Sequence, residues 1–137
     1  MNTIYQPSVI MPEAILGEDN KIGAFVFIDN GVKIGNRCRI QNGALLYNGV
    51  EIGDDVLIAP GVVTTNDHFP ELPVDDWSHR FKKTIIGNRV SIGANSTIIC
   101  GVTIGENTLI GAGSVVTKDC EPNAIYYGNP AKFIRWK

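Results

Sequence analysis

The side chains able to do chemistry are concentrated in one stretch. Residues 65–84, TNDHFPELPVDDWSHRFKKT, hold both histidines of the chain, His68 and His79, with four acids, two prolines (Pro70, Pro73), Trp77, Phe69 and Phe81. An asparagine side-chain carbonyl can orient an amine. An aspartate can accept hydrogen bonds from an amine or from hydroxyls, or can orient a neighbouring imidazole. A histidine titrates at about 6.5 and can take up a proton near neutrality. Asn66, Asp67 and His68 are therefore the candidate catalytic set. The same Asn-Asp pair also suits a role confined to holding the turn of the loop. His79 reads as a surface or interface residue. A second concentration of charge closes the chain, where Lys118, Lys132, Arg135 and Lys137 oppose Asp119 and Glu121. This segment suits a cap over exposed strand edges, a cationic site for a phosphorylated ligand, or both.

The elements that position these residues are set by a beat of six. Ile4, Ile10, Leu16, Ile22, Ile28, Ile34, Ile40, Leu46, Ile52 and Ile58 fall on it, Thr64 does not, and it resumes at Ile86, Ile92, Ile98, Ile104, Ile110 and Val116. An α-helix would scatter this period around its axis. Two residues before the beat stand small or β-branched residues such as Val26, Cys38, Ala44 and Val56, and positions two apart on a strand share a side. Each hexapeptide is thus a short strand with two inward side chains, followed by a corner. Glycines just after the beat (Gly17, Gly23, Gly35, Gly53, Gly87, Gly93, Gly105, Gly111) and nearby Asn and Asp residues suggest corners in the left-handed backbone region. Hexapeptide repetition of this kind marks a β-helix solenoid. Three hexapeptides make one triangular coil, so about six coils stack at roughly 4.8 Å each.

The beat divides the chain without splitting it. Coils span 1–64 and 85–118, an excursion loop spans 65–84, and a cap spans 119–137, in one domain. Pro122, Gly128 and Pro130 argue against regular structure in the tail until a helical last turn or two. The net charge of −2 sets up no field for nucleic acid or an anionic membrane. No apolar run approaches the ~18 residues of a membrane span, and the start MNTIYQPSVI lacks the basic and apolar regions of a secretory signal, so a cytoplasmic location is expected. Cys38, Cys100 and Cys120 show neither CxxC nor metal-ligand spacing and read as reduced, non-catalytic thiols.

The repeat, the excursion at TNDHFP and the ending GAGSVVTKD…AIYYGNPAK resemble the hexapeptide-repeat acyltransferases, across essentially the whole chain. Within them the chain is most similar to bacterial nucleotide-sugar N-acetyltransferases. The resemblance implies an all-β, left-handed parallel β-helix. It implies a homotrimer with active sites between subunits, acetyl-CoA as donor, no metal, and a UDP- or dTDP-linked amino sugar of surface polysaccharide synthesis as acceptor. It places the coenzyme along later coils at Gly93, Ala94, Gly111 and Ala112, with Lys118, Lys132 and Arg135 near its phosphates. The glycines among these serve equally as corner residues. The sequence departs from the family pattern at Glu71, where an arginine is common, and at Phe69, which separates His68 from Pro70. The main alternative is O-acetylation of a sugar or small hydroxyl compound with His68 as base, since a hydroxyl needs a base that a neutral amine does not. A second is a structural solenoid without catalysis. A zinc hydratase on such a fold would need three histidine ligands, and the chain has two histidines.

Overall fold

The beat becomes a three-sided parallel prism in the computed structural model, which describes residues 1–72 and 81–137. Every regular element among the described residues is a strand. The first face stacks Thr3–Ile4, Lys21–Ile22, Arg39–Ile40, Leu57–Ile58, Ser91–Ile92 and Leu109–Ile110. The second stacks Val9–Ile10, Phe27–Ile28, Leu45–Leu46, Val63–Thr64, Thr97–Ile98 and Val115–Val116. The third stacks Ile15–Leu16, Lys33–Ile34, Val50–Ile52, Thr84–Ile86 and Thr103–Ile104. In each strand the last residue points inward. From Ile22 to Val116 the aliphatic residues on the beat are no more than 4% exposed and form one continuous core with the small residues two positions earlier. Polar members of that core are satisfied. Asn20, for example, accepts from the Cys38 amide at 2.7 Å and donates to the Gly35 carbonyl at 2.9 Å.

Partners in neighbouring coils are 18 residues apart, as Asn36 and Asp54 are, and 34 apart across the excursion, as Asp54 and Asn88 are. The excursion is therefore an insertion at one corner. The chain leaves after the second face at Thr64 and returns onto the third face at Thr84, within the same coil.

The corners divide their labour differently from the sequence expectation. Left-handed residues stand three after the beat, not directly after it: Asp19, Arg37, Asp55, Arg89, Asn107 and Asn123 form one column, with φ between 57° and 62°. Phe25, Gly43, Gly61, Asn95 and Gly113 form a second column, and Gly31, Gly49 and Gly101 a third. The glycines directly after the beat answer a different constraint. A Cβ on Gly93 would fall inside the van der Waals envelope of the Ala112 backbone one coil away. Those glycines let coils stack rather than let the chain turn.

The tail also departs from expectation. Residues Ala124–Gly128 and Ala131–Trp136 form an antiparallel hairpin that extends the first face beyond Leu109–Ile110, and no helical turn is present there. Gly128 and Pro130 bound the turn of the hairpin instead of preventing strands. Tyr126 and Ala124 close the core, with the Tyr126 hydroxyl accepting from the Glu121 amide at 2.9 Å. Ile134 and Trp136, the large apolar residues near the end of this segment, stay 54% and 60% exposed. The opposite end is open: Ile4, on the same beat, is 38% exposed.

Candidate active site

The excursion departs where a left-handed glycine would otherwise turn the corner. Asp67 lies 18 residues after Gly49, but the returning limb fills that column instead: a Cβ on Gly49 would meet the Lys82 carbonyl at 3.1 Å. Threonine hydroxyls replace the lost corner contacts. Thr64 is fully buried on the beat, and its Oγ1 accepts from the Tyr47 amide at 3.0 Å. Thr65 Oγ1 accepts from the Cys100 amide at 2.9 Å, and Thr84 Oγ1 from the Gly101 amide at 3.2 Å. These bonds explain why the beat fails at Thr64: the position needs an acceptor more than a methyl group.

The two limbs of the excursion are tied at their base. The Lys82 amide donates to the Asn66 carbonyl at 2.9 Å, and Asp67 and Phe81 form an antiparallel bridge. Asp67 Oδ1 also accepts from the Phe69 amide at 3.1 Å, so the turn-holding role expected of the Asn-Asp pair is present. On the second-face side of this stem lies a pocket of about 400 Å³. Tyr47, Val63, Pro70 and Leu72 give it apolar walls, and Asn66, Asp67 and Glu71 bring polar groups to it. His68 is not among the lining residues. Its exposed ring stacks on Phe69, with centroids 4.6 Å apart at 17°. His79, Trp77 and Pro73 lie outside the described residues.

The residues expected to hold a coenzyme are placed at two sites. Gly93, Ala94, Gly111 and Ala112 lie at the corner between the first and second faces of late coils, where the Gly93 amide donates to Ile110 and the Gly111 amide to Tyr126. Lys118 and Lys132 converge on a pocket of about 360 Å³ against the terminal hairpin, with Tyr126 and Phe133 beside them. Arg135 is not among its lining residues, and its guanidinium donates to the Trp136 carbonyl at 3.2 Å.

Tyr47, Lys33, Lys82 and Lys83 were not singled out by the sequence reading. Tyr47 stands one coil before Thr65 at the same corner, a relation that the 18-residue register alone reveals. The lysines line a third pocket of about 280 Å³ on the other side of the stem, with Gly31, Gly49, Glu51 and Phe81. There Lys83 and Lys33 reach the Glu51 carboxylate at 3.0 and 3.4 Å. The hydrogen bond from Lys83, with a smaller one from Lys33, holds the Glu51 carboxyl below its usual range against an opposing effect of burial. Burial pushes the Cys120 thiol up to about 12, and it raises Cys38 as well, so neither is a ready nucleophile. No cluster of three or more His, Cys, Asp or Glu that could hold a metal occurs among the described residues.

Comparison with known proteins fits this geometry. A family model described as "GMPPB C-terminal domain" matches residues 4–99, and one described as "Bacterial transferase hexapeptide (six repeats)" matches residues 83–118. The chain is a hexapeptide-repeat protein of the GMPPB C-terminal domain family. Over 89 residues it is 49% identical to the galactoside O-acetyltransferase of Escherichia coli, covering 63% of this chain and 43% of that relative. It is 35% identical over 127 residues to the bifunctional protein GlmU of Streptococcus uberis, covering 92% and 25%. Among solved structures, the H141A mutant of GDP-perosamine N-acetyl transferase from Caulobacter crescentus, in complex with CoA and GDP-perosamine, matches with a TM-score of 0.83 at 28% identity. That match covers 97% of this chain and 56% of the other. This hexapeptide-repeat chain thus spans less than two thirds of each of these proteins.

Proposed function

We propose that this chain is an acetyl-CoA-dependent N-acetyltransferase acting on the amino group of a UDP- or dTDP-linked amino sugar in surface polysaccharide synthesis. The observation that supports this reading most is the pocket at the excursion, where apolar walls meet Asn66, Asp67 and Glu71 while His68 stands outside. Asp67 and Glu71 bring negative charge that attracts a sugar ammonium, which gives one proton to solvent before the neutral amine reacts. The Asn66 side-chain oxygen and the Asp67 carboxylate accept hydrogen bonds from the amine and the sugar hydroxyls, fixing the nitrogen's lone pair toward the donor. Acetyl-CoA, when bound, supplies an acetyl thioester whose departing thiolate can carry off the proton that the amine loses.

The residues present fit that donor. Lys118 and Lys132 share a pocket suited to its phosphates, Arg135 lies on the adjacent hairpin strand, and the small corner residues Gly93, Ala94, Gly111 and Ala112 admit a ligand close to the main chain. Residues 1–137 act as a single acyltransferase domain of coils 1–64 and 85–118, excursion 65–84 and cap 119–137. The working form is a cytoplasmic homotrimer with its active sites between subunits. Outward positions of the second face support that assembly: Val9, Phe27, Leu45, Val63 and Val115 make an apolar stripe broken only by Thr97.

The identity to a galactoside O-acetyltransferase favours a second reading, acetyl transfer to a sugar hydroxyl. That reaction calls on His68 as general base. Free-thiol release from acetyl-CoA, measured against UDP- and dTDP-amino sugars with hydroxyl sugars as controls, separates the two. Turnover with one amino sugar is the expected result. Turnover confined to hydroxyl acceptors, abolished by His68→Ala, would replace this reading with the second.

A further inference from the structure

Two pockets flank the stem of the excursion, and their described lining residues differ in charge, acids in one and mainly lysines in the other. The stem is narrow at its base, where the Lys82 amide meets the Asn66 carbonyl at 2.9 Å. On the second-face side, Asp67 and Glu71 line the apolar pocket. On the third-face side, Lys33 comes from the second coil and Lys82 and Lys83 from the returning limb, and all three converge on one concavity of about 280 Å³. Glu51 is the only acid among its described lining residues, and it is shared between Lys33 and Lys83. Lys82 makes no ion pair among the described residues. Gly31 and Gly49 also line this pocket, so no side chain from those two positions shields the lysines from a ligand.

We propose that Lys33, Lys82 and Lys83 form a binding site for the diphosphate of the acceptor, so that a nucleotide amino sugar lies astride the stem. This rests on the amino-sugar reading above and extends it. Such an acceptor is dipolar, with an ammonium on the sugar and two phosphate charges beyond it. The protein offers the complementary pair, carboxylates on one side of the stem and lysines on the other. Among the described lining residues three ammonium groups face one carboxylate, an excess of positive charge, and each lysine brings three donors that suit phosphate oxygens. The donor's phosphates have their own lysines, Lys118 and Lys132, at the capped end of the prism. A neutral glycoside would leave the Lys33 pocket without a partner.

The test compares the intact chain with Lys82→Ala/Lys83→Ala and with Lys82→Arg. Both altered positions are exposed, and equal melting temperatures verify the fold. Calorimetric titration uses inorganic pyrophosphate, UDP and dTDP. Steady-state transfer uses the nucleotide amino sugar that the wild type turns over. The double variant is expected to bind pyrophosphate roughly ten- to a hundredfold more weakly and to show a KM for the nucleotide sugar raised by a similar factor, the range of a lost charge-assisted bond or two. Its kcat and its KM for acetyl-CoA should stay within about twofold, and Lys82→Arg should behave as wild type, because these side chains bind without touching the reacting atoms. An unchanged acceptor KM overturns the proposal. A rise in the KM for acetyl-CoA instead assigns the pocket to the donor and overturns it too. If the wild type acetylates only hydroxyl acceptors, the amino-sugar reading fails by itself. Pyrophosphate titration then decides the site: no binding, or equal binding by both proteins, overturns it.

Discussion

At the corner between the second and third faces, three coils turn through Gly31, Gly49 and Gly101, and one departs at Asp67. The regular coils turn the corner with a left-handed glycine, and among them Asp29 and Asn30 accept from the Asn48 and Glu13 amides. The departing coil surrounds the same corner with Thr64, Thr65 and Thr84, whose hydroxyls accept from amides of neighbouring coils. The difference shows how a solenoid acquires a site. Repetition satisfies the backbone of every coil through its neighbours, so an insertion is tolerated only where side chains take over the bonds that it removes. The excursion is therefore anchored at its base, and two of its anchoring residues, Thr64 and Thr65, line the apolar pocket.

The comparison can be broken from either side. The largest effect is expected in the regular interior. Ile58→Ala, at a fully buried beat position, should cost about 2–5 kcal/mol in denaturant unfolding, because stacked coils above and below cannot collapse into the space. A loss below about 1 kcal/mol would mean that coils bear their load independently. At the interrupted corner, Asn66→Ala should lower kcat by about a hundredfold, roughly 2.7 kcal/mol on the barrier, with the melting temperature unchanged. Full activity in that variant would reduce Asn66 to a turn residue.

Thr64→Val sharpens the contrast further, since it restores the aliphatic beat. It should destabilise the chain by about 1–2 kcal/mol, because the Tyr47 amide loses its acceptor. A more stable variant would show that the beat outweighs the hydrogen bond there. The smallest effect at neutral pH is that of Cys120, whose contribution changes only in alkaline solution. The folded-state pKa of Cys120 lies above its unfolded value of 9.0, at about 12. The stabilisation it contributes is complete below pH 9 and lost as pH rises toward 12, at about 1.4 kcal/mol per unit while only the unfolded thiol ionises. Cys120→Ala should flatten that part of the stability profile, and an unaltered slope would remove the thiol from the account.

Much of this was legible beforehand because the solenoid translates sequence period into space. The inward columns, the coil count and the position of the excursion follow from the beat at six. The candidate trio was found as a cluster, yet its members differ in placement: Asn66 and Asp67 face a pocket, whereas the His68 ring lies outward on Phe69. Adjacent residues on an irregular loop point in directions that no period specifies. Glycines after the beat do not reveal their reason in sequence, because crowding between coils and a left-handed φ both select glycine. The terminal hairpin is hidden in the sequence because Gly128 and Pro130, which argue against a strand when read locally, are also the residues of a tight turn between two strands.

By itself the sequence determined which residues face inward, since an aliphatic residue every sixth position can be buried in only one way on a three-sided parallel coil. It also determined where that burial must stop, at Thr64. Only the tertiary structure decided which outward residues meet. Tyr47 joins Asn66 and Asp67, and Lys33 joins Lys82 and Lys83, because coil register brings together positions far apart along the chain. Outward side chains are free of the packing constraint that makes the interior periodic, so their meeting leaves no pattern in the sequence.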